Sequence, residues 1–312
     1  LAAFTKSAQF PFHFWLPNAM QAPTPVSAYL HSATMVKAGI YLVARMTPIA
    51  GGTTMWTTTI VVVAALTMIV GAIRSLTETD LKRILAYSTI SALGIVMLLF
   101  GIGTEQAVAA GLSYLLAHAC YKGALFLLAG AVEHETGARD VSVLGGLRRA
   151  MPATALAAGL AAASMAGMPL FGGFVAKEQL YDSLGSAALP WNDMLTAAAV
   201  GASMCLGAAG LIAGFAPFRG RPMPTPAAHD APVSLWLGPS ILGRLAPDLS
   251  IALFPATGPG ATALQSCTTF SIAIFLLVAG MEVDLSTVWK QGRAALLVGA
   301  GGILVPFVTG IA

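Results

Sequence analysis

The chain has 312 residues, of which 57% are hydrophobic and only 9% charged, and its net charge is +3. Soluble domains carry roughly 25% charged residues, so this composition excludes an ordinary soluble domain. The 16 basic residues are scattered among short loops, so no nucleic-acid partner is predicted.

Long uncharged stretches dominate the sequence and indicate membrane spans. Five of them contain no Asp, Glu, Lys, Arg or His: residues 46–73, 84–104, 150–176, 194–218 and 249–281. Each reaches or exceeds the ~20 residues that a transmembrane helix needs. The mean hydropathy of +0.80 agrees with this interpretation. The sequence therefore predicts an all-α, polytopic transmembrane helical bundle.

The first part of the chain contains a predicted break. Residues 1–14 are predicted to be the end of a helix, and residues 15–25 contain three prolines and cannot continue it. A helix is predicted to restart near Val26 and to run to about Arg45. After it we predict spans at residues 57–73, 84–102 and 106–132, with a charged loop at 74–83.

The second part contains another break. Residues 133–140, which include Glu133, His134 and Glu135, are predicted to form a solvated loop, although acid-His-acid spacing can also bind a cation weakly. Further elements are a short helix or turn at 144–150, a helix from 152 that breaks at 167–173 and resumes at 174–184, and a span at 193–218. Residues 222–264 are predicted to be a Pro-rich loop and an uncertain span at 233–254. Residues 265–312 are predicted to hold two transmembrane helices. The two discontinuous helices of the predicted bundle are those broken at 15–25 and at 167–173.

Loop charges predict the orientation. If the spans alternate, one membrane side carries Arg74, Lys82, Arg83, Arg139, Arg148, Arg149, Arg219 and Arg221, and the other only Arg45. Basic residues concentrate in cytoplasmic loops, so the basic side is predicted to be cytoplasmic. We expect a multi-pass protein of the cell membrane, specifically the bacterial inner membrane. We also expect a fragment, because the chain starts at Leu1 without Met and both ends fall inside predicted helices.

Basic residues within the apolar runs are the candidate functional groups. Tyr114, His118 and Lys122 lie at i, i+4 and i+8, so on a helix they form one polar stripe near the middle of a span. An ionisable residue inside a membrane is a functional-site hypothesis by default. Each of the two helix breaks has a Lys or His beside it, and in secondary transporters such breaks mark ion pathways. The predicted proton relay consists of Lys6, His31, Lys37, His118, Lys122 and Lys177.

Structural alternatives exist for several of these residues. Lys6 and Lys177 can lie near a helix end and reach the membrane interface. His31 and Lys37 can instead hydrogen-bond a neighbouring helix. His13 lies among aromatic residues, which favours a structural role at the interface. No metal-ligand, nucleophilic, phosphate-binding or redox-cofactor motif is present, so no cofactor or metal is predicted and the chain is not expected to be an enzyme.

Three long motifs resemble a known family. They are KSAQFPFHFWLPNAM at residues 6–20, APTPVSAYLHSATMVKAG at 22–39 and DLKRILAYSTIS at 80–91. They resemble the antiporter-like proton-translocating subunits of respiratory complex I and of Mrp-type Na+/H+ antiporters. The segment EHETGARD at 133–140, with MVKAG at 35–39, is closer to the A-type subunit of the Mrp antiporters. The resemblance covers about residues 1–240, and the part up to 221 is predicted to be the antiporter-like domain, with the helices that precede it missing.

The resemblance implies residue roles and partners. Lys6 and Lys177 match the lysines of the two broken helices, His31 the histidine of the next helix, and Lys122 the central channel lysine, preceded by His118. The family implies a hydrated relay of these residues at mid-membrane, with a glutamate partner of the first lysine on an earlier helix. It also implies other membrane subunits, the lipid bilayer, protons and monovalent cations as partners. Residues after about 265 resemble instead a Kef-type cation:proton antiporter.

The preferred function is that of a membrane subunit of a multisubunit Na+/proton antiporter. The first alternative is a proton-pumping subunit of a complex I-like NADH dehydrogenase, without redox chemistry of its own. The second alternative is a truncated, non-transporting membrane scaffold that packs against partner subunits.

Overall fold

The computed structural model describes residues 1–220 and Met223, apart from Ala33, Gly52, Ala188 and Pro190. Within these ranges the chain forms ten α-helices and no β-strand. The helices are α1 (Ala2–Lys6), α2 (Trp15–Asn18), α3 (Thr24–Ser32), α4 (Met35–Ala50), α5 (Thr54–Thr77), α6 (Leu81–Ile102), α7 (Glu105–Thr136), α8 (Pro152–Ala166), α9 (Gly172–Gly185) and α10 (Asn192–Phe215).

Four helical segments in the described part of the chain have the length and apolar composition of membrane spans. They are α5, α6, α7, and α10 together with the 3₁₀ turn that extends it to Phe218, with 24, 22, 32 and 27 residues. A helix of 22 residues is about 33 Å long, which matches a hydrocarbon core of about 30 Å. The prediction of an all-α, polytopic membrane bundle is therefore confirmed.

Helix α6 is the centre of the bundle. Its most apolar 18 residues are all buried, whereas the same window of the other three long helices is 39–44% buried. Helix α6 packs against α5 on one side and α7 on another, and α7 in turn contacts α3, α8 and α9. Side chains on α6 and on the inner face of α7 therefore lie in the core of the bundle.

Local sequence sets the ends of these helices. The Asp80 carboxylate caps α6 by accepting hydrogen bonds from the backbone N–H groups of Lys82 and Arg83, and the Thr104 hydroxyl caps α7. Helix α5 continues to Thr77, so the loop predicted at 74–83 is only three residues long. The short connection places the first turn of α6 directly beside the end of α5.

The first break begins earlier than predicted. Helix α1 ends at Lys6, and the backbone leaves the helical region at Ala8, where φ is +47°. The predicted break at 15–25 contains the short helix α2 and the 3₁₀ turn Ala19–Gln21, because proline is tolerated near the start of a helix. The interruption therefore covers residues 7–23, with short helical pieces inside it.

The predicted continuous helix from Val26 to Arg45 is wrong. Helix α3 ends at Ser32 and α4 begins at Met35, with Thr34 at φ −123° and ψ −108°. The Ser32 hydroxyl donates to the carbonyl of Ala28 at 2.6 Å, and the Thr34 hydroxyl donates to the carbonyl of Tyr29 at 3.1 Å. Such side-chain bonds to carbonyls of the preceding turn compete with the helical ladder and bend helices.

The second break lies where it was predicted. Helix α8 ends at Ala166 and α9 begins at Gly172. Gly167 ends α8 in the left-handed region at φ +80°, which a glycine adopts without steric cost. The predicted loop and spans at 222–264 and 265–312 lie outside the described residues, Met223 excepted.

Close packing of α5 on α6 yields the first testable prediction. A Cβ added at Gly94 would lie 2.6 Å from the backbone nitrogen of Met68 and 2.8 Å from the carbonyl oxygen of Ala64. Because backbone atoms of α5 cannot move aside cheaply, we expect G94A to lower the free energy of unfolding by about 1–3 kcal/mol. The thermal midpoint of the purified protein in detergent measures this change.

The matched control is G201A in α10. Among the described residues, no atom outside the adjoining backbone of α10 lies within 4 Å of a Cβ added there, and alanine is the better helix former. We expect G201A to leave the thermal midpoint unchanged or slightly higher. Equal midpoints for the two variants would contradict the close approach of α5 and α6.

Candidate functional site: buried basic residues around helix α7

Lys122 is a fully buried ammonium group near the middle of α7. Its Nζ donates a hydrogen bond to the carbonyl oxygen of Leu85 at 2.9 Å and another to the Ser88 hydroxyl, both on α6. Among the described residues no carboxylate lies within ion-pair distance of it. An unpaired charge out of water is costly, so the charged form of Lys122 depends on these two oxygens.

Two buried histidines accompany Lys122. The ring of His31 on α3 stacks on Phe126 with centroids 4.4 Å apart, and the ring of His118 on α7 lies edge-on to Tyr121 at 5.4 Å. Neither ring nitrogen of either histidine has a hydrogen-bond partner among the described residues. Both rings lie within electrostatic range of Lys122. Each histidine therefore has free positions at which to accept or donate a proton.

Lys37 joins this group from α4. Its Nζ donates to the carbonyl oxygen of Leu115 at 3.2 Å, one turn before His118 on α7. The break between α3 and α4 places His31 and Lys37 on separate helices. We call His31, Lys37, His118 and Lys122 the central cluster. The structure thus brings together four of the six predicted relay residues.

Lys177 lies apart from the central cluster, at the second break. Its Nζ donates to the carbonyl oxygen of Ala166 at 2.9 Å and to that of Ser203 at 3.4 Å, and only 9% of the residue is exposed. The Ala166 carbonyl is at the C-terminal end of α8, where the helix dipole favours a cation. Lys177 is therefore held inside the bundle by backbone oxygens and does not extend to the surface.

Lys6 does not join either group. It is the half-buried last residue of α1, and it makes no hydrogen bond or ion pair with another described residue. His13 stacks on Phe10 with ring centroids 5.7 Å apart, and the structural role predicted for it stays a prediction. Among the described residues, Lys6 is therefore connected neither to the central cluster nor to Lys177.

The C-terminal end of α7 carries an ion pair that the sequence did not predict. Helix α7 continues to Thr136, so the solvated loop predicted at 133–140 is wrong for its first half. The Glu133 Oε2 atom lies 2.7 Å from Nζ of Lys82, whose side chain is 3% exposed, and it accepts a 3.1 Å hydrogen bond from the Thr24 hydroxyl. An ion pair between buried Lys82 and partly exposed Glu133 thus joins α6 and α7, and the Thr24 hydroxyl ties α3 to it.

Arg139 extends this ion pair into a network. Its Nε lies 3.1 Å from Asp80 Oδ2 and 3.7 Å from Glu133 Oε1, and its guanidinium donates to the carbonyl of Met20 at 3.4 Å. We call Asp80, Lys82, Glu133 and Arg139 the end network. It fastens the interrupted segment between α1 and α3 to the ends of α6 and α7.

Backbone hydrogen bonds also join the loop before α6 to the loop after α7. The backbone N–H of Leu81 donates to the carbonyl of Arg139, and that of Val141 donates to the carbonyl of Thr79, each at 2.9 Å. Hydrogen bonds from the Ser142 hydroxyl and N–H hold the pKa of Asp140 below its ordinary value. The signal that could have revealed the end network is the alternation of spans, which puts Lys82 and Glu133 at one membrane face.

Residues 1–204 match the sequence model of a known protein family. The model described as NADH:quinone oxidoreductase/Mrp antiporter, TM matches residues 1–204. The chain belongs to this family. The family resemblance carried by the sequence motifs is thereby confirmed, and with its membrane-length helices the chain is a multi-pass membrane protein. The expected Kef-type likeness after residue 265 lies outside the described residues.

Curated relatives within this family are named as antiporter subunits. The chain is 43% identical over 269 residues to a Na(+)/H(+) antiporter subunit of Alkalihalophilus pseudofirmus, covering 78% of this chain and 33% of that protein. It is 51% identical over 181 residues to a probable K(+)/H(+) antiporter subunit of Rhizobium meliloti, covering 58% and 18%. The chain thus spans a third or less of the length of these relatives.

Solved structures of two assemblies contain similar chains. One is the Mrp complex from Dietzia sp., with a TM-score of 0.64 and 32% identity, covering 97% of this chain and 40% of that one. The other is respiratory complex I from Thermus thermophilus, with a TM-score of 0.63 and 29% identity, covering 72% and 48%. Both branches of the family therefore share the fold described here.

The end network yields a stability prediction. E133Q removes the counter-charge of buried Lys82 and keeps the size of the side chain. Breaking a fully buried pair costs about 3–5 kcal/mol, and the 31% exposure of Glu133 reduces this, so we expect a loss of about 2 kcal/mol in the free energy of unfolding. The thermal midpoint of the purified protein measures it.

E105Q is the matched control, because Glu105 is exposed at the start of α7 and has no ion-pair partner among the described residues. Its expected effect is a few tenths of a kcal/mol, through the helix dipole alone. Should E133Q be as stable as E105Q, the Lys82–Glu133 pair does not stabilise the fold.

Proposed function

We propose that the chain is part of a membrane subunit of a multisubunit monovalent cation/proton antiporter. In this proposal, protons move through the Lys/His relay at mid-membrane. The observation that carries the proposal is the central cluster, in which fully buried Lys122 lies with two histidines whose ring nitrogens have no partner among the described residues. Lys177 extends the relay toward α9, and Lys6 is its outermost candidate.

The chemistry of the central cluster suits proton transfer. A lysine out of water can change between charged and neutral forms when a neighbouring charge arrives or leaves. A neutral imidazole accepts a proton on one nitrogen and releases one from the other, which makes histidine a relay group. Backbone and hydroxyl oxygens hold the ammonium of Lys122 without a permanent counter-charge. Proton transfer therefore needs no further ionisable group inside the cluster.

The relatives support a monovalent cation as the exchanged ion. The protein from Alkalihalophilus pseudofirmus is named for Na+/H+ exchange and that from Rhizobium meliloti for probable K+/H+ exchange. Both are named as subunits and both are bacterial. We therefore propose other membrane subunits as partners and the bacterial cell membrane as the location.

The second candidate function is that of a proton-pumping subunit in a complex I-like NADH dehydrogenase. The likeness to the chain of the Thermus thermophilus complex favours it. The higher identity to proteins named as antiporter subunits favours the first proposal. Purification with partner proteins separates the two: small membrane subunits support the antiporter, and iron–sulfur or flavin proteins support the dehydrogenase.

The test of transport is K122A in everted membrane vesicles that contain the protein together with its partner subunits. Adding Na+, K+ or Li+ to respiring vesicles should release protons with the native protein, monitored as the collapse of a pH gradient. With K122A we expect this cation-driven proton movement to be lost, because no other described residue takes over the contacts to Leu85 and Ser88.

R45A is the control variant, since Arg45 is exposed at the opposite end of the bundle and belongs to neither group. It should transport at the native rate. If K122A is present in the membrane at native amounts, assembles with its partners and still transports like R45A, the relay is refuted and a membrane scaffold remains.

A further inference from the structure

Three exposed arginines at one end of the bundle have no ion-pair partner among the described residues. Arg148 and Arg149 lie in the turn that precedes α8, and Arg219 directly follows the 3₁₀ turn after α10. We call these three residues the arginine patch. A guanidinium is always charged and carries five N–H donors. The patch therefore presents positive charge that the described part of the chain does not neutralise.

The other arginines at this end of the bundle have carboxylate partners. Arg74 and Arg83 lie 3.8 Å and 2.9 Å from the Glu78 carboxylate, and Arg139 belongs to the end network. Positive charge in the loops is thus a general property of this end. The arginine patch differs from the rest of it because no carboxylate of the described residues accompanies it.

Backbone hydrogen bonds hold the two halves of the patch side by side. The N–H of Gly146 donates to the carbonyl oxygen of Arg219 at 2.7 Å, and the N–H of Leu147 donates to that of Pro217 at 3.2 Å. The two arginines of the turn follow Leu147 directly in the chain. The patch is therefore a fixed feature of two loops that are bonded to each other.

The position of Arg219 places the patch at the level of the lipid headgroups. Helix α10 with its 3₁₀ turn has 27 residues, enough to cross a hydrocarbon core of about 30 Å, and Arg219 is the next residue. Its guanidinium lies over the ring of Phe215, 5.6 Å from the centroid. A cation on an aromatic ring at the end of a span is held near the membrane interface.

An exposed apolar surface begins directly below the patch, where α8 packs on α10. Leu156 and Leu160 flank Gly159 on α8, and Leu211 lies one turn before Phe215 on α10; all three leucines are exposed. A Cβ added at Gly159 would lie 3.3 Å from the Phe215 ring, so the two helices meet closely here. We call these five residues the apolar seam.

We propose that the arginine patch and the apolar seam bind one anionic phospholipid. Its phosphate group lies against the guanidinium groups, and an acyl chain lies along the seam. Guanidinium groups suit this ligand, because their planar N–H donors match the geometry of phosphate oxygens. Basic pockets at the ends of transmembrane helices bind anionic headgroups in the same way. The inference is independent of the proposed function, since binding of a lipid requires no transport.

A phospholipid fits both parts of this surface, whereas other anions fit one. A free phosphate would occupy the patch and leave the seam uncovered. An acidic segment of a partner protein would likewise pair with the arginines without needing apolar side chains deeper in the membrane. The charged group at the interface and the apolar chain beneath it follow the order in which the protein presents arginine and leucine side chains.

The test measures binding of radiolabelled phosphatidylglycerol, in detergent micelles, to the purified protein with its partner subunits. R148Q/R219Q should weaken binding by at least about tenfold, because two of the three positive charges at the headgroup are lost. R45Q/R74Q is the matched control. It removes two charges as well, one at the opposite end and one beside Glu78, and should bind with native affinity.

Two competitors distinguish the lipid from its parts. Unlabelled phosphatidylglycerol should displace the label, whereas phosphatidylcholine with the same acyl chains should be at least about tenfold weaker because its headgroup has no net charge. Inorganic phosphate at millimolar concentration should displace nothing, because it makes no contact with the seam. Displacement by phosphate, or equal competition by phosphatidylcholine, overturns the proposal.

The variants supply the remaining outcomes. Equal phosphatidylglycerol affinity of R148Q/R219Q and R45Q/R74Q overturns the lipid site. Loss of a partner subunit from R148Q/R219Q, with unchanged lipid affinity, also overturns it and assigns the patch to that subunit.

A second measurement needs no variant. The affinity of the native protein for phosphatidylglycerol should fall as the salt concentration rises, because salt screens exposed charges. An affinity that does not change between 50 mM and 500 mM salt, on the order of a threefold change in screening length, overturns the role of the arginines.

Discussion

The contact between Lys122 on α7 and the oxygens of α6 is the constraint on which the site depends. An ammonium group in the core of an apolar bundle needs acceptors, and Leu85 and Ser88 supply them. They can do so only because α6 is buried on all sides and α7 packs directly against it. The burial of Lys122 therefore depends on the central position of α6.

Interrupted helices provide the remaining oxygens and approaches. The end of α8 leaves the carbonyl of Ala166 free for Lys177, and Gly167 allows the turn that follows. The interruption after Ser32 divides the chain into α3, whose His31 stacks on Phe126, and α4, whose Lys37 donates to the carbonyl of Leu115 about three turns earlier on α7. Irregular backbone inside a membrane protein is tolerated where it is buried in protein, and here it holds basic side chains.

Much of this arrangement follows from local patterns in the sequence. The apolar runs predict the long helices, and the spacing of Tyr114, His118 and Lys122 places them on one face, which the structure shows to be the buried face of α7. The second break follows from Gly167 and the glycines that begin α9. Tyr121 belongs to the same face, one turn beyond His118, but an aromatic residue in an apolar run carries no signal of its own.

Other features depend on tertiary structure, and local sequence patterns do not predict them. The break after Ser32 coincides with a hydroxyl bond to a preceding carbonyl, but similar bonds from Thr67 and Thr89 leave α5 and α6 unbroken, so this signal does not predict a break. Lys82 has the sequence surroundings of a loop residue, yet it is buried because its helix is the centre of the bundle. Its partner Glu133 is a whole span away in the chain, so only the packing of α6 on α7 brings the two together.

The bundle thus contains buried lysines in two distinct settings. Lys82 has a carboxylate at 2.7 Å, and an ion pair of this kind holds its charge and its position. Lys122 and Lys177 have only carbonyl and hydroxyl oxygens among the described residues, so nothing fixes their charge permanently. A proton carrier has to lose and regain its charge, and a structural anchor must not. The absence of a carboxylate beside the inner lysines, within the described part of the chain, therefore favours transfer, while its presence at the end network favours anchoring.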